Sequence, residues 1–184
     1  NKNKIVTYVL SILKKIMKIS GQERGFNFDP KVLSLGPDIY LDGYWQSPKY
    51  FGGYEDVIRK DFTIKNPLAQ KIQDLAREIE NTNSLCIHVR RGDYVGNKFH
   101  EVVNNEYYLK GIEFISGKTT IDKIYVFSDD IKWCKNNLKF EFPTMFVGPE
   151  HTGENGEGHM FLMSKCKNFI IANSSFSWWG AWLS

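Results

Sequence analysis

The chain is short of cysteine, of long hydrophobic runs and of charge of one sign, and each shortage removes a class of protein. Three cysteines in 184 residues are too few for a disulfide scaffold. Cys86, Cys134 and Cys166 all sit in apolar stretches, which reads as reduced core thiols. A membrane-crossing helix needs about 20 apolar residues, and the longest candidate, 5–13, is stopped by Lys14 and Lys15. A net charge of +3 is too mild for a protein that coats nucleic acid, and the lysines are scattered rather than clustered with aromatics. That balance suits a small anionic ligand held by a few arginines. Hydrophobic residues reach 42%, so the chain can bury a core and is not disordered. Aromatics reach 15%, and such rings serve cores and line sugar or base sites.

Residues 1–22 carry Lys2, Lys4, Lys14, Lys15 and Lys18 and no acid. Lysines after the apolar run, with no small-residue cleavage site, argue against a secretory leader. Ile5, Val9, Ile12, Leu13, Ile16 and Met17 share one side of a helix. An amphipathic helix is expected there, and peripheral association with a membrane surface is the alternative use of it.

Residues 20–65 are rich in Gly, Pro and Tyr and read as short strands and loops. After residue 65 the pattern becomes regular. Asn66 as N-cap and Pro67 at the first position open a helix over 67–80, with Leu68, Ile72, Leu75 and Ile79 on one face. Strands are expected at 85–89, 123–127, 144–147 and 168–172. Helices are expected at 105–116, 131–138, 159–167 and from 175 onward. Such alternation predicts an α/β fold with a parallel sheet and helices on both faces. Phe169-Ile170-Ile171-Ala172 has the continuous apolar character of a strand buried on both sides.

Open parallel sheets bind ligands at the carboxyl ends of their strands. Polar residues gather at those ends: His88-Val89-Arg90-Arg91-Gly92-Asp93-Tyr94, then Ser128-Asp129-Asp130, then Gly148-Pro149-Glu150-His151, then Asn173-Ser174-Ser175. Arginine presents a planar fork that matches phosphate oxygens two at a time. Alternation along a strand puts His88 and Arg90 on one face and sends Arg91 to the other. Asp93 can hold the arginines in place. The same residues also suit a solvated ion-pair cluster at the sheet edge. Asp129 reads as a ligand contact, and Asp130 as either a ligand contact or the N-cap of the next helix. Asn173-Ser174-Ser175 precedes a helix start, where free N–H groups suit a phosphate and where serine also serves as an ordinary N-cap. No His or Cys sits at metal-ligand spacing, and Asp129 and Asp130 are adjacent rather than separated by one residue. The glycines at 153, 156 and 158 have no lysine at P-loop spacing.

Three blocks in order carry a resemblance: 88–95, Tyr125-Val126-Phe127-Ser128-Asp129-Asp130 with Trp133-Cys134, and 169–183. Together they resemble the α-1,2-fucosyltransferases, glycosyltransferase family 11. The shorter His-x-Arg-Arg-x-Asp element is similar to that of the α-1,6-fucosyltransferases, and Tyr44-Trp45-Gln46 to the family's acceptor-side segment. The resemblance implies a GT-B-like enzyme. Residues 1–66 would form part of an N-terminal acceptor lobe. Residues 67–184 would form a Rossmann-like donor lobe, C-terminally incomplete. It would transfer L-fucose from GDP-β-L-fucose to the 2-hydroxyl of a galactoside in a glycan, with inversion. No cofactor or metal and no nucleic acid would take part, and the enzyme would work in the cytoplasm or at the inner face of a bacterial membrane. His88, Arg90, Arg91, Asp93, Ser128, Asp129, Asn173, Ser174, Ser175 and Phe176 would surround the donor. Arg90 would hold the pyrophosphate and Asp93 would assist; His100, Glu101 and Asp93 are the candidate bases, and a strongly dissociative reaction needing little base help is the alternative. The family's Gly-Gly-Leu-Gly-Asn-Gln segment is absent. A non-catalytic GDP-sugar- or glycan-binding remnant is the alternative.

Overall fold

The computed structural model describes residues 21–22, 27–37, 39–45, 47–99 and 102–184. The helix expected near the N-terminus, Gln46, His100 and Glu101 lie outside the described residues. The chain divides into two compact units, 1–62 and 63–184.

In the first unit, β1 (Gly21–Gln22) pairs in parallel with β2 (Leu41–Asp42). Two 3-10 turns, Pro30–Ser34 and Pro48–Phe51, each place proline in the first turn and are capped by the side chains of Asp29 and Ser47. The Tyr50 ring packs on Phe28 at 4.9 Å and edge-on against Trp45 at 5.3 Å. Trp45 has φ 52°, a left-handed conformation costly for a side chain of this size. Helix α1 (Glu55–Asp61) falls where only strands and loops were expected. Glu55 and Asp56 in its first turn and Arg59 and Lys60 in its last match the helix dipole. That charge order is its signal, because none of its residues is buried.

The second unit alternates strand and helix. Its elements are α2 (Gln70–Glu80), β3 (Ser84–Val89), α3 (Asn105–Ser116), β4 (Lys123–Ser128), α4 (Ile131–Asn137), β5 (Thr144–Phe146), α5 (Glu157–Ser164), β6 (Asn168–Ile170) and α6 (Ser175–Trp182). All four strands are parallel, in the order β5-β4-β3-β6. Side-chain alternation feeds two cores, one on each face of the sheet. Cys86, Tyr125 and Phe127 join Ile72, Leu75 and Ile79 of α2 and Leu162 and Met163 of α5. Leu85, Ile87, Val89, Ile124 and Val126 join Tyr108 and Ile112 of α3 and Cys134 of α4. This is the α/β, Rossmann-like architecture expected from the strand and helix periods. The three cysteines are buried and none forms a disulfide.

Several boundaries differ from expectation, and α5 runs Glu157–Ser164 where 159–167 was expected. Helix α2 starts at Gln70 with Ala69 at its N-cap, so Asn66-Pro67 does not open it. Leu68 instead packs against the core ahead of the helix, and its carbonyl accepts the Gln73 side-chain amide at 2.7 Å. Strand β6 stops at Ile170 rather than 172. Beyond it, side chains take over the backbone: Tyr107 donates to the Ile171 carbonyl at 2.8 Å and Tyr94 to the Asn173 carbonyl at 3.0 Å.

Candidate active site

The chain leaves β3 for β4 and β5 on one side, then returns to β6 on the other side of β3. The direction of winding therefore reverses between β3 and β6, and a crevice opens there at the carboxyl ends of the strands. A cleft of about 380 Å³ lies at the carboxyl ends of β3 and β4. His88 and Arg90 reach it from the end of β3, Phe127, Ser128 and Asp129 from β4, and Phe176 from the start of α6. Ile131, Pro149, Thr152, Gly156 and His159 complete the lining.

Arg90 is the cation of the cleft. One terminal nitrogen lies 2.7 Å from Asp93 Oδ1 and the other 3.0 Å from Asp129 Oδ2, with the Tyr94 ring centre 5.4 Å away. These two ion pairs hold the guanidinium in place at the cleft, where its planar fork can meet phosphate oxygens. Asp129 is itself fixed, because its other oxygen accepts the Arg91 backbone N–H at 2.9 Å. The fit leaves no spare room: a Cβ on Gly92 would lie 2.6 Å from Asp129 Oδ2.

Arg91 does not line the cleft. Its guanidinium stacks over Trp133 at 3.6 Å and its Nε lies 3.4 Å from Asp130 Oδ2. Alternation along the chain thus divides the pair, one arginine to the cleft and one to packing behind it. Asp130 is the helix cap of its two readings, accepting the Trp133 N–H at 3.1 Å. Its own N–H donates to Ser128 Oγ at 2.9 Å, which orients that hydroxyl at the cleft edge.

His88 is 5% exposed, and its Nδ1 is buried without a hydrogen-bond partner. Burial lowers its pKa to about 4, with Asp129 opposing the shift and Arg90 adding to it. The ring is therefore neutral at neutral pH and lies 6.1 Å from the Phe176 ring. His159 is also held below its ordinary value, chiefly by burial.

The serines at the start of α6 are placed differently from expectation. Ser174 occupies the N-cap but makes no capping bond with its side chain. Asn173, Ser174 and Ser175 do not line the cleft, whereas Phe176 does. Ser177, unremarked in the sequence, is buried and donates to the Ser174 carbonyl at 3.1 Å, tying the first turn together. Of the donor-side candidates, His88, Arg90, Ser128, Asp129 and Phe176 meet in the cleft, and Asp93 joins through Arg90. Sequence reading missed Phe127, Ile131, Thr152 and His159 as lining. Among the described residues, no group of three or more His, Cys, Asp or Glu is arranged to hold a metal ion. None of the described helices is long and apolar enough to cross a membrane.

Comparison with known proteins places this geometry in a family. The family model of glycosyl transferase family 11 matches residues 15–184. The α-1,2-colitosyltransferase of Escherichia coli is 35% identical over 184 residues, covering 96% of this chain and 63% of the relative. The O-antigen biosynthesis glycosyltransferase WbnK of Escherichia coli is 41% identical over 152 residues, covering 78% and 50%. The galactoside 2-alpha-L-fucosyltransferase of Caenorhabditis elegans is 27% identical over 158 residues, covering 79% and 43%. The chain thus spans between about two fifths and two thirds of these relatives' lengths. With the matched region covering both the cleft and its arginine, the chain belongs to glycosyl transferase family 11.

Proposed function

We propose that the cleft binds GDP-β-L-fucose and that the protein supports transfer of L-fucose to the 2-hydroxyl of a galactoside. The observation that carries this reading is Arg90, held by two carboxylates in a cleft at the carboxyl ends of β3 and β4. In the reaction the bond between the sugar's C1 and the β-phosphate oxygen breaks as the acceptor oxygen bonds to C1 from the opposite face, which inverts the centre. Arg90 neutralises charge gathering on the departing diphosphate, a role that needs no metal. The backbone N–H groups at the start of α6 add a second source of positive potential. Asn173, Ser174 and Ser175 would serve through that turn, and Arg91 through its hold on the strand end. The acceptor's proton passes to Asp93 or to His100. Residues 1–66 would face the acceptor and residues 67–184 the donor, as two lobes of a GT-B-like enzyme. Work at the cytoplasmic face of a membrane suits the lysines of residues 1–22.

A colitosyl donor is the second reading, favoured by the 35% identity to an α-1,2-colitosyltransferase. The test is transfer to a β-galactoside from GDP-L-fucose and from the GDP-activated colitosyl donor, with the product linkage read by NMR. An α-1,2-fucoside supports the first reading, and a product from the colitosyl donor alone supports the second. GDP binding with no product from either donor is the outcome expected of a non-catalytic remnant.

A further inference from the structure

The cleft is uneven in charge. Its charged side chains, Arg90 and Asp129, lie at the ends of β3 and β4, while the opposite side is built from Pro149, Thr152, Gly156 and His159, with Phe127, Ile131 and Phe176 between. A nucleoside diphosphate has the same division, an anionic half and a flat uncharged base. What keeps the uncharged side in shape is a loop, residues 147–156, rather than a regular element.

His159 braces that loop. Its Nε2 lies 3.0 Å from the Gly148 carbonyl, which can only accept, so this nitrogen carries the proton. Thr152 Oγ1 lies 3.4 Å from the same nitrogen. The Gly148 carbonyl also accepts the His151 N–H at 3.1 Å, so both ends of the 3-10 turn Pro149–His151 are tied at one oxygen. The ring stands edge-on to Phe127 at 5.5 Å. One residue earlier, the Gly158 N–H donates to the Thr152 carbonyl at 2.8 Å, and a Cβ on Gly158 would lie 2.2 Å from the His151 carbonyl oxygen. The first turn of α5 is thus pressed onto the loop it supports.

We propose that His159 is a positioning residue that fixes the turn Pro149–His151 and Thr152 as the wall against which the base of a bound nucleoside diphosphate lies. It acts through the turn and leaves the phosphates to Arg90. The inference rests on the reading of the cleft as a nucleotide site, and its test separates the two. His159→Phe keeps the aromatic contact with Phe127 and removes the donor. His159→Gln restores an N–H near the position of Nε2.

Two measurements are made on each folded variant. Amide hydrogen exchange of the unliganded protein over residues 148–158 should quicken in His159→Phe and return toward the original rate in His159→Gln. By calorimetry His159→Phe should weaken GDP about tenfold, the loss of one net hydrogen bond. Inorganic pyrophosphate binding should be unchanged, and His159→Gln should recover most of the GDP affinity. Unchanged exchange over 148–158 overturns the brace whatever the ligand proves to be. Equal weakening of GDP and pyrophosphate, or no recovery in His159→Gln, overturns the base-side role. Exchange that behaves as expected in a protein that binds no GDP retires the nucleotide reading and, with it, the base-side role, leaving the brace alone.

Discussion

His88 places a neutral imidazole beside the charges of Arg90 and Asp129, and that has a consequence for stability. Its folded pKa of about 4 lies below the roughly 6.5 of an unfolded chain. Between those values the unfolded chain binds more protons, so stability falls as pH drops from about 6.5 to about 4 and levels off below. The depression corresponds to roughly 3 kcal/mol. His159 shifts in the same direction. Glu78, held low by its bond to Lys123, adds a loss that begins only as pH falls through the carboxylate range. Melting temperature should therefore drop on acidification, and His88→Gln should flatten the slope between pH 6.5 and 4. An unaltered slope in that variant would assign the acid sensitivity to other groups. Gly92 tests the arginine clamp from a different side. Gly92→Ala puts a methyl 2.6 Å from Asp129 Oδ2, so the carboxylate must leave Arg90 or the Arg91 N–H. GDP affinity should fall about tenfold, the worth of a charge-assisted contact partly lost, with little change in melting temperature. Titration of that variant at wild-type affinity would mean the clamp does not set the arginine's aim.

At the scale of elements, α5 is pressed closely onto the loop before it at Gly158. Gly158→Ala sets a Cβ against a backbone carbonyl at 2.2 Å and against Ile72 Cδ1 at 2.9 Å, and backbone cannot rotate away. Overpacking of this kind costs about 1–3 kcal/mol, which a denaturant titration would read as a lower midpoint with unchanged slope. A midpoint as in the wild type would show that α5 can slide on the loop. The elements themselves were legible to different degrees. Strands β3 and β4 declare themselves through continuous apolar runs, and α2 through Ile72, Leu75 and Ile79. Helix α1 was missed because it buries nothing, so hydrophobic period could not show it. The start of α2 was misplaced because Asn66-Pro67 has the form of a cap while Leu68 is drawn to the core.

His88 and Arg90 were legible as a pair because strand alternation is local. Thr152 and His159 were not, since they reach the cleft only through the crossing from β4 through β5 to α5, and Phe127 was not, since its register with His88 depends on which strand pairs with β3. Asn173, Ser174 and Ser175 had the composition of a phosphate cradle, yet only their neighbour Phe176 turns into the cleft. Transfer by the protein, with GDP-L-fucose as donor, should survive dialysis against EDTA. Loss of the initial rate in chelator, with full recovery on adding Mg²⁺ or Mn²⁺, would assign leaving-group stabilisation to a cation instead of Arg90. Arg90 as the group that binds the diphosphate is tested most directly by calorimetric titration of GDP into the wild-type protein and into folded Arg90→Ala and Arg90→Lys. Loss of a directed, charge-assisted contact of about 3 kcal/mol predicts roughly a hundredfold weaker binding in Arg90→Ala. Arg90→Lys should recover little of it, because an ammonium lacks the planar fork. GDP binding by Arg90→Ala with wild-type affinity would contradict the assignment of the cleft.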